Sequence, residues 1–190
     1  MKIVEIGIKL DKNFEYYDEL LKSKGFINDY TVKIHDIYYT NKDLEGLSEN
    51  QMKNGCIRLR SFNGNNFIIQ NDLSNTHFEE KELSSTKLKD FEDKLYNLGY
   101  KKVFDTKKWD FHYSKAGMSN KIQLQQIENI GLLVYFDNKE YYRFEVEVQR
   151  KKLINELNLY GFNFNDNTLG LDKLRTLYYG KEMFSKNQND

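Results

Sequence analysis

Short runs with a period of two recur through this chain, and that period suits strands and little else. Ile57 and Leu59 alternate with Arg58 and Arg60; Val4, Ile6, Ile8 and Leu10 alternate with Glu5, Gly7 and Lys9; Phe144, Val146 and Val148 alternate with Glu145 and Glu147. Each run is apolar on one side and polar on the other, and the doublets Arg58/Arg60 and Glu145/Glu147 put like charges side by side. Like charges that close repel unless water screens them or an opposite charge faces them. Two arrangements relieve the repulsion. One is the solvated outer face of a half-buried antiparallel sheet. The other is the inward polar face of a barrel whose apolar outside is covered by helices. In that case an arginine doublet can hold phosphate oxygens by charge-assisted hydrogen bonds, and a carboxylate doublet can hold a hard divalent cation.

The alternation predicts strands over 4–10, 31–39, 55–62, 66–71, 102–114, 122–128, 131–137 and 143–149. The third and fourth are joined by NGNN, residue types that tolerate positive φ in a hairpin turn. Phe14, Tyr17 and Leu21 fall on one helical stripe ending at Gly25, and Leu88, Phe91, Leu95 and Leu98 on another, with Ser84 to Thr86 as N-caps and Gly99 as the stop. Further helices are expected over 150–160 and 171–184, and the polar connection TNKDLEGLSENQMKN has room for a helical turn or a loop over a site. The fold class read from this order is α+β: one domain over 1–184, built on an eight-stranded antiparallel β-barrel with flanking helices, then a polar tail over 185–190.

Composition narrows the function. The chain of 190 residues has no proline, where ordinary usage predicts about nine or ten, so its turns rest on Gly, Asn and Asp and polyproline segments are excluded. Twenty-nine basic residues balance 29 acidic ones, which argues against a broad nucleic-acid or membrane footprint. A hydrophobic content of 39% is too high for a disordered chain, and a mean hydropathy of −0.78 leaves no apolar run for a membrane span. The single Cys56 has no intramolecular disulfide partner, and Lys2, Glu5 and Lys9 interrupt the opening residues where a signal peptide is apolar, so a cytoplasmic setting is expected. His35, His77 and His112 form no zinc motif, and no glycine-rich phosphate loop is present, so any phosphate binding falls to side chains. Trp109, beside Lys107 and Lys108, reads either as a packing residue or as a platform for a base.

Glu5 to Lys9 as E-x-x-x-K, Asp36 to Tyr39 as D-x-Y-Y, the paired arginines of Cys56 to Arg60, and Glu145 to Glu147 as E-x-E resemble, in that order, the CYTH superfamily of triphosphate tunnel metalloenzymes, over roughly residues 1–180. That group includes class IV adenylate cyclases, thiamine triphosphatases and inorganic triphosphatases. The resemblance implies an eight-stranded tunnel that hydrolyses an organic or inorganic triphosphate, or cyclises ATP, with Mg or Mn. It assigns phosphate binding to Lys9, Arg58, Arg60 and Lys108, and metal binding to Glu5, Asp137, Glu145 and Glu147. The implied partner is a small-molecule triphosphate, with no nucleic acid and no membrane, and the protein a monomer or homodimer. Gly7 stands where the family pattern has a second Glu, and Gln70 where a lysine is usual. The K-x-R pair is degraded whether it is placed on Lys108 and Asp110 or on Lys121 and Gln123. Those departures keep open a second reading, a catalytically degraded module of the same fold that binds polyphosphate or a phosphorylated ligand. No catalytic residue is singled out.

Overall fold

The computed structural model describes residues 6–71, 78–119, 121–137, 141, 144–164 and 171–183. In chain order its elements are β1 (Ile6–Lys9), α1 (Phe14–Ser23), β2 (Ile27–Thr40), α2 (Glu49–Gly55), β3 (Ile57–Phe62), β4 (Asn65–Asn71), β5 (Phe78–Leu83), α3 (Leu88–Asn97), β6 (Lys101–Ser114), β7 (Lys121–Ile127), β8 (Gly131–Asp137), α4 (Val146–Leu159) and α5 (Lys173–Tyr179). The strands form one eight-stranded antiparallel sheet in the order β1-β8-β7-β6-β2-β3-β4-β5, and the fold is α+β. β1 and β5 lie at the ends of that order, and among the described residues no ladder joins them.

Local chemistry explains most boundaries. Asn63 and Gly64 both take positive φ (49° and 80°), which makes the β3–β4 connection a two-residue turn whose twist matches its strands. Gly25 and Gly99 end α1 and α3 at φ of 82° and 80°, and the next residues, Phe26 and Tyr100, donate back to the Leu21 and Leu95 carbonyls. In the long polar connection, Ser48 and Gln51 form a reciprocal capping box that starts α2.

Two expectations of the alternating pattern are corrected. The described residues 144–149 do not form the expected strand over 143–149: Glu145 is the N-cap of α4, whose helix begins at Val146. There Gln149, Leu153 and Leu157, spaced four apart, are all buried, so the helical period outweighs the Phe144/Val148 alternation, and Val148 is left 41% exposed. The eighth strand is instead β5, FEEKEL, which among the described residues pairs only with β4. With charges at four of six positions it gives no hydrophobic signal, and such charge is how edge strands resist further pairing.

The chain divides into two compact units. One holds the residues up to Thr31 together with Trp109–Leu171, and the other holds Val32–Lys108 with Asp172–Met183. In the first, Ile8 of β1, Leu10 just after it, Leu124 of β7 and Val134 and Phe136 of β8 pack against Tyr17 and Leu21 of α1 and Leu153 and Leu157 of α4. In the second, Tyr39 and Leu59 pack on Leu95 of α3, while Leu44, Met52, Cys56, Phe104 and Leu174 make a separate cluster that includes α2 and α5. Burial pushes the Cys56 thiol up to about 11, so it is a packing residue and not a nucleophile.

Candidate functional site

Register decides which charges meet. In the second unit Asp36 pairs with Arg60 and Tyr38 with Arg58 across β2 and β3, so all four side chains share one face. Ile37, Tyr39, Ile57 and Leu59 alternate onto the other face, where α3 covers them. α3 takes the apolar side, while on the charged side Tyr38 packs against the cluster of Leu44, Phe104 and Leu174.

On that face Arg60 holds Asp36 in a two-pronged grip, its Nε donating to Oδ1 at 2.7 Å and its Nη2 to Oδ2 at 2.8 Å. Lys108 of β6 brings its Nζ to 3.8 Å from the same Oδ2. Arg58 lies with its guanidinium carbon 5.9 Å from the Tyr38 ring centroid, and its Nε is buried without an acceptor. Desolvation of the Asp36 carboxyl acts to raise its pKa, but the Arg60 hydrogen bonds and the charges of Lys108, Arg60 and Arg58 outweigh it and hold the group below the usual carboxylate range. Three cations therefore converge on one ionised carboxylate, and the register places Glu80 and Glu82 of β5 in line with Arg58 and Arg60 on the same face of the sheet. Asp36 is almost wholly buried at 3% side-chain exposure, whereas Arg60 at 23% and Lys108 at 12% stay within reach of a solute.

The first unit carries the other sequence candidates. Gly7 pairs with Tyr135 and Lys9 with Leu133 across β1 and β8, and Gln123 and Gln125 pair with the same two residues from β7. A Cβ on Gly7 would meet the Tyr135 ring and hydroxyl at 2.9 Å. The tyrosine thus takes the space that the family's second glutamate would need. Asp110 and Gln125 are buried together, with the Gln125 amide donating to the carboxylate at 2.7 Å. Neither Asp110 nor Gln123 supplies the cation that the family pattern has at the second position of its K-x-R pair. Tyr135 was missed in the sequence, although a glycine on one strand and a bulky ring on its neighbour are the kind of complementary pair that marks close packing.

Of the expected metal ligands, Glu5 lies outside the described residues, and Asp137 is placed by its backbone, opposite Lys121 at the end of β8. Glu145 and Glu147 share no strand face: both are exposed at the start of α4, and Glu147 lies 3.4 Å from Arg150 on the same helix. A divalent cation of the Mg or Mn type needs several converging oxygen donors. Among the described residues no three Asp, Glu, His or Cys side chains converge in that way, so they do not fit such an ion. Arg58, Arg60 and Lys108 are brought together, while Lys9 belongs to the first unit and lines a cleft there. Gln70 pairs with Ile57 and not with Arg58.

The sequence matches no family model and no curated protein. Solved structures do resemble the fold. A Vibrio parahaemolyticus protein described as a candidate adenylate cyclase is 17% identical with a TM-score of 0.55, covering 87% of this chain and 91% of that one. A Bacillus halodurans protein described in the same way is 12% identical with a TM-score of 0.53, covering 98% and 94%. A Pyrococcus horikoshii OT3 protein is 19% identical with a TM-score of 0.55, covering 87% and 94%. At these identities the likeness is one of fold.

Proposed function

We propose that this CYTH-like chain binds an oligophosphate, a triphosphate above all, on the face made by Arg58, Arg60 and Lys108, and that it does so without a divalent cation. The observation that carries this reading is the convergence of those three cations on the single carboxylate of Asp36. An oligophosphate supplies several negative oxygens, and the buried Nε of Arg58 offers a donor with no protein acceptor. Leaving such a group unsatisfied costs about 1–3 kcal/mol, which a phosphate oxygen would recover. Arg60, gripping Asp36, fixes its guanidinium on this face, and Lys108 acts as a point charge beside it. Among the described residues no donor set for Mg or Mn gathers, so there the charge that meets the ligand is that of these side chains.

The experiment is calorimetric titration of tripolyphosphate in the presence of EDTA. Saturable binding is expected, and Arg58→Ala should weaken it by roughly 10- to 150-fold, the equivalent of one lost charge-assisted contact at about 1.5–3 kcal/mol. The second reading is a metal-dependent triphosphatase or adenylate cyclase, favoured by the fold likeness to two candidate adenylate cyclases. Release of phosphate or a cyclic nucleotide from tripolyphosphate, thiamine triphosphate or ATP with Mn would establish it in place of the first.

A further inference from the structure

The first unit contains a cleft of about 600 Å³ that shares no residue with the basic face of the second. It lies where the start of α1 meets the end of β7 and the beginning of β8. Its walls are apolar and largely aromatic. Phe14 of α1 and Phe111 of β6 pack with ring centroids 4.1 Å apart, and Trp109, two residues before Phe111, projects to the same side of the strand. Leu10 and Leu132, both buried, line it as well.

One lining residue departs from the pattern of its strand. On β7, Ile122, Leu124 and Gln126 share a face. The first two are buried in the core beside their partners Phe136 and Val134, and Gln126 pairs with Leu132. An aliphatic side chain would continue that stripe, yet the position carries a half-buried carboxamide that among the described residues has no hydrogen-bond partner. A carboxamide presents an N–H donor and a C=O acceptor side by side, so it fits a partner with the reverse pair on one edge, as an amide has. Asn13, the other carboxamide of the cleft, already accepts from the Tyr16 N–H through its Oδ1 as the cap of α1.

The charged groups at the rim call for no charged ligand. Lys12 lies 3.4 Å from Asp11, and Lys9 has an interaction of its own. Glu15 stands exposed in the first turn of α1, where the positive end of the helix favours an acidic residue. An ion brought against these apolar walls loses hydration that no counter-charge replaces, whereas a neutral planar ring loses little and stacks on the aromatic side chains. A cavity of this volume suits a ligand of one or two rings, oriented by a polar group at one edge.

We infer that this cleft binds a neutral planar compound of one or two rings with an amide-type edge, its ring against Phe14, Phe111 and Trp109 and its edge hydrogen-bonded to the carboxamide of Gln126. The site stands on its own residues and does not depend on oligophosphate binding in the second unit.

Trp109 is the only tryptophan in the chain, so its indole N–H gives a single resonance in the nitrogen-labelled protein. Three probes share one ring system and differ in the charge of its edge: neutral 2-naphthamide, anionic 2-naphthoate and cationic 2-naphthamidine. The amide should shift the Trp109 resonance saturably, and the acid and the amidine should each bind at least about fivefold more weakly. Gln126→Leu, which extends the apolar stripe of β7, should weaken the amide by about three- to tenfold, the share of one neutral hydrogen bond. Gln126→Glu should turn the order over in favour of the amidine. The absence of a saturable shift up to about 2 mM 2-naphthamide would overturn the inference. So would an acid or amidine that binds the unaltered chain as tightly as the amide, or an amide affinity unchanged in Gln126→Leu. If either variant loses its native spectrum, the comparison of the three probes on the unaltered chain decides.

Discussion

In the second unit the polar face of β2, β3 and β6 gathers Arg58, Arg60 and Lys108 around Asp36, whereas in the first unit the polar face of β1, β7 and β8 carries Gly7, Tyr135, Gln123 and Gln125. Both arise from amphipathic strands whose apolar sides are covered by helices. They differ in what faces the charge. Where the buried carboxylate of Asp36 stands opposite Arg60, it faces two like charges that sit two residues apart and is itself held ionised by them. Where Gly7 leaves room on β1, the Tyr135 ring fills the space, and the carboxylate of Asp110 is held by an amide. One sheet thus gathers three cations around a buried carboxylate in one region and packs a tyrosine ring over a glycine in another.

The strongest way to break that contrast is to remove the counter-charge. Asp36→Ala leaves Arg60 and Lys108 without their shared partner on a largely buried face, and a loss of about 3–5 kcal/mol is expected in urea unfolding. The same carboxylate sets an acid limit. Because the folded pKa lies below the ordinary 3.8, the unfolded chain takes up the proton first as pH falls. Its contribution is thus complete above about pH 4 and is lost as pH falls through the depressed folded value, so Asp36→Asn should flatten the drop in urea midpoint on the acid side.

In the first unit, Gly7→Glu drives a side chain into the Tyr135 ring and should cost about 1–3 kcal/mol. Pairing it with Tyr135→Ala in a double-mutant cycle should give a coupling of about 0.5–3 kcal/mol, and additive effects would mean the two do not compete for the same space. Gln125→Leu takes away the donor to buried Asp110 and should cost about 1–3 kcal/mol, read by thermal unfolding. At the small end, Glu147→Gln on the exposed start of α4 should change stability by less than about 0.5 kcal/mol and leave tripolyphosphate binding unaltered.

The parts of the fold with a chemical signature at a single position were legible in the sequence: the NGNN turn, the glycine stops after α1 and α3, and the arginine doublet on one face of β3. The parts that depend on partners were not. β5 is charged along most of its length and becomes a strand only because β4 offers it a ladder. The alternation over 143–149 is real in the sequence, but the stripe from Gln149 to Leu157 has a core to bury against, and burial outweighs local pattern. Asp36 matched a family motif, yet its role as the shared anion follows from a register that places it opposite Arg60, which no spacing within one strand reveals. Tyr135 over Gly7 is the same lesson from the other unit, because the substitution at one position is explained only by the ring on the next strand.

The central claim is that the anion-binding charge lies on the Arg58, Arg60 and Lys108 face and needs no metal. Calorimetric titration of tripolyphosphate into the chelator-treated protein, beside Arg58→Ala and Glu147→Gln, tests it most directly. The account predicts binding in EDTA that survives in Glu147→Gln and weakens by at least about tenfold in Arg58→Ala. Binding that appears only with Mg or Mn, or that is the same in Arg58→Ala as in the unaltered chain, would contradict it.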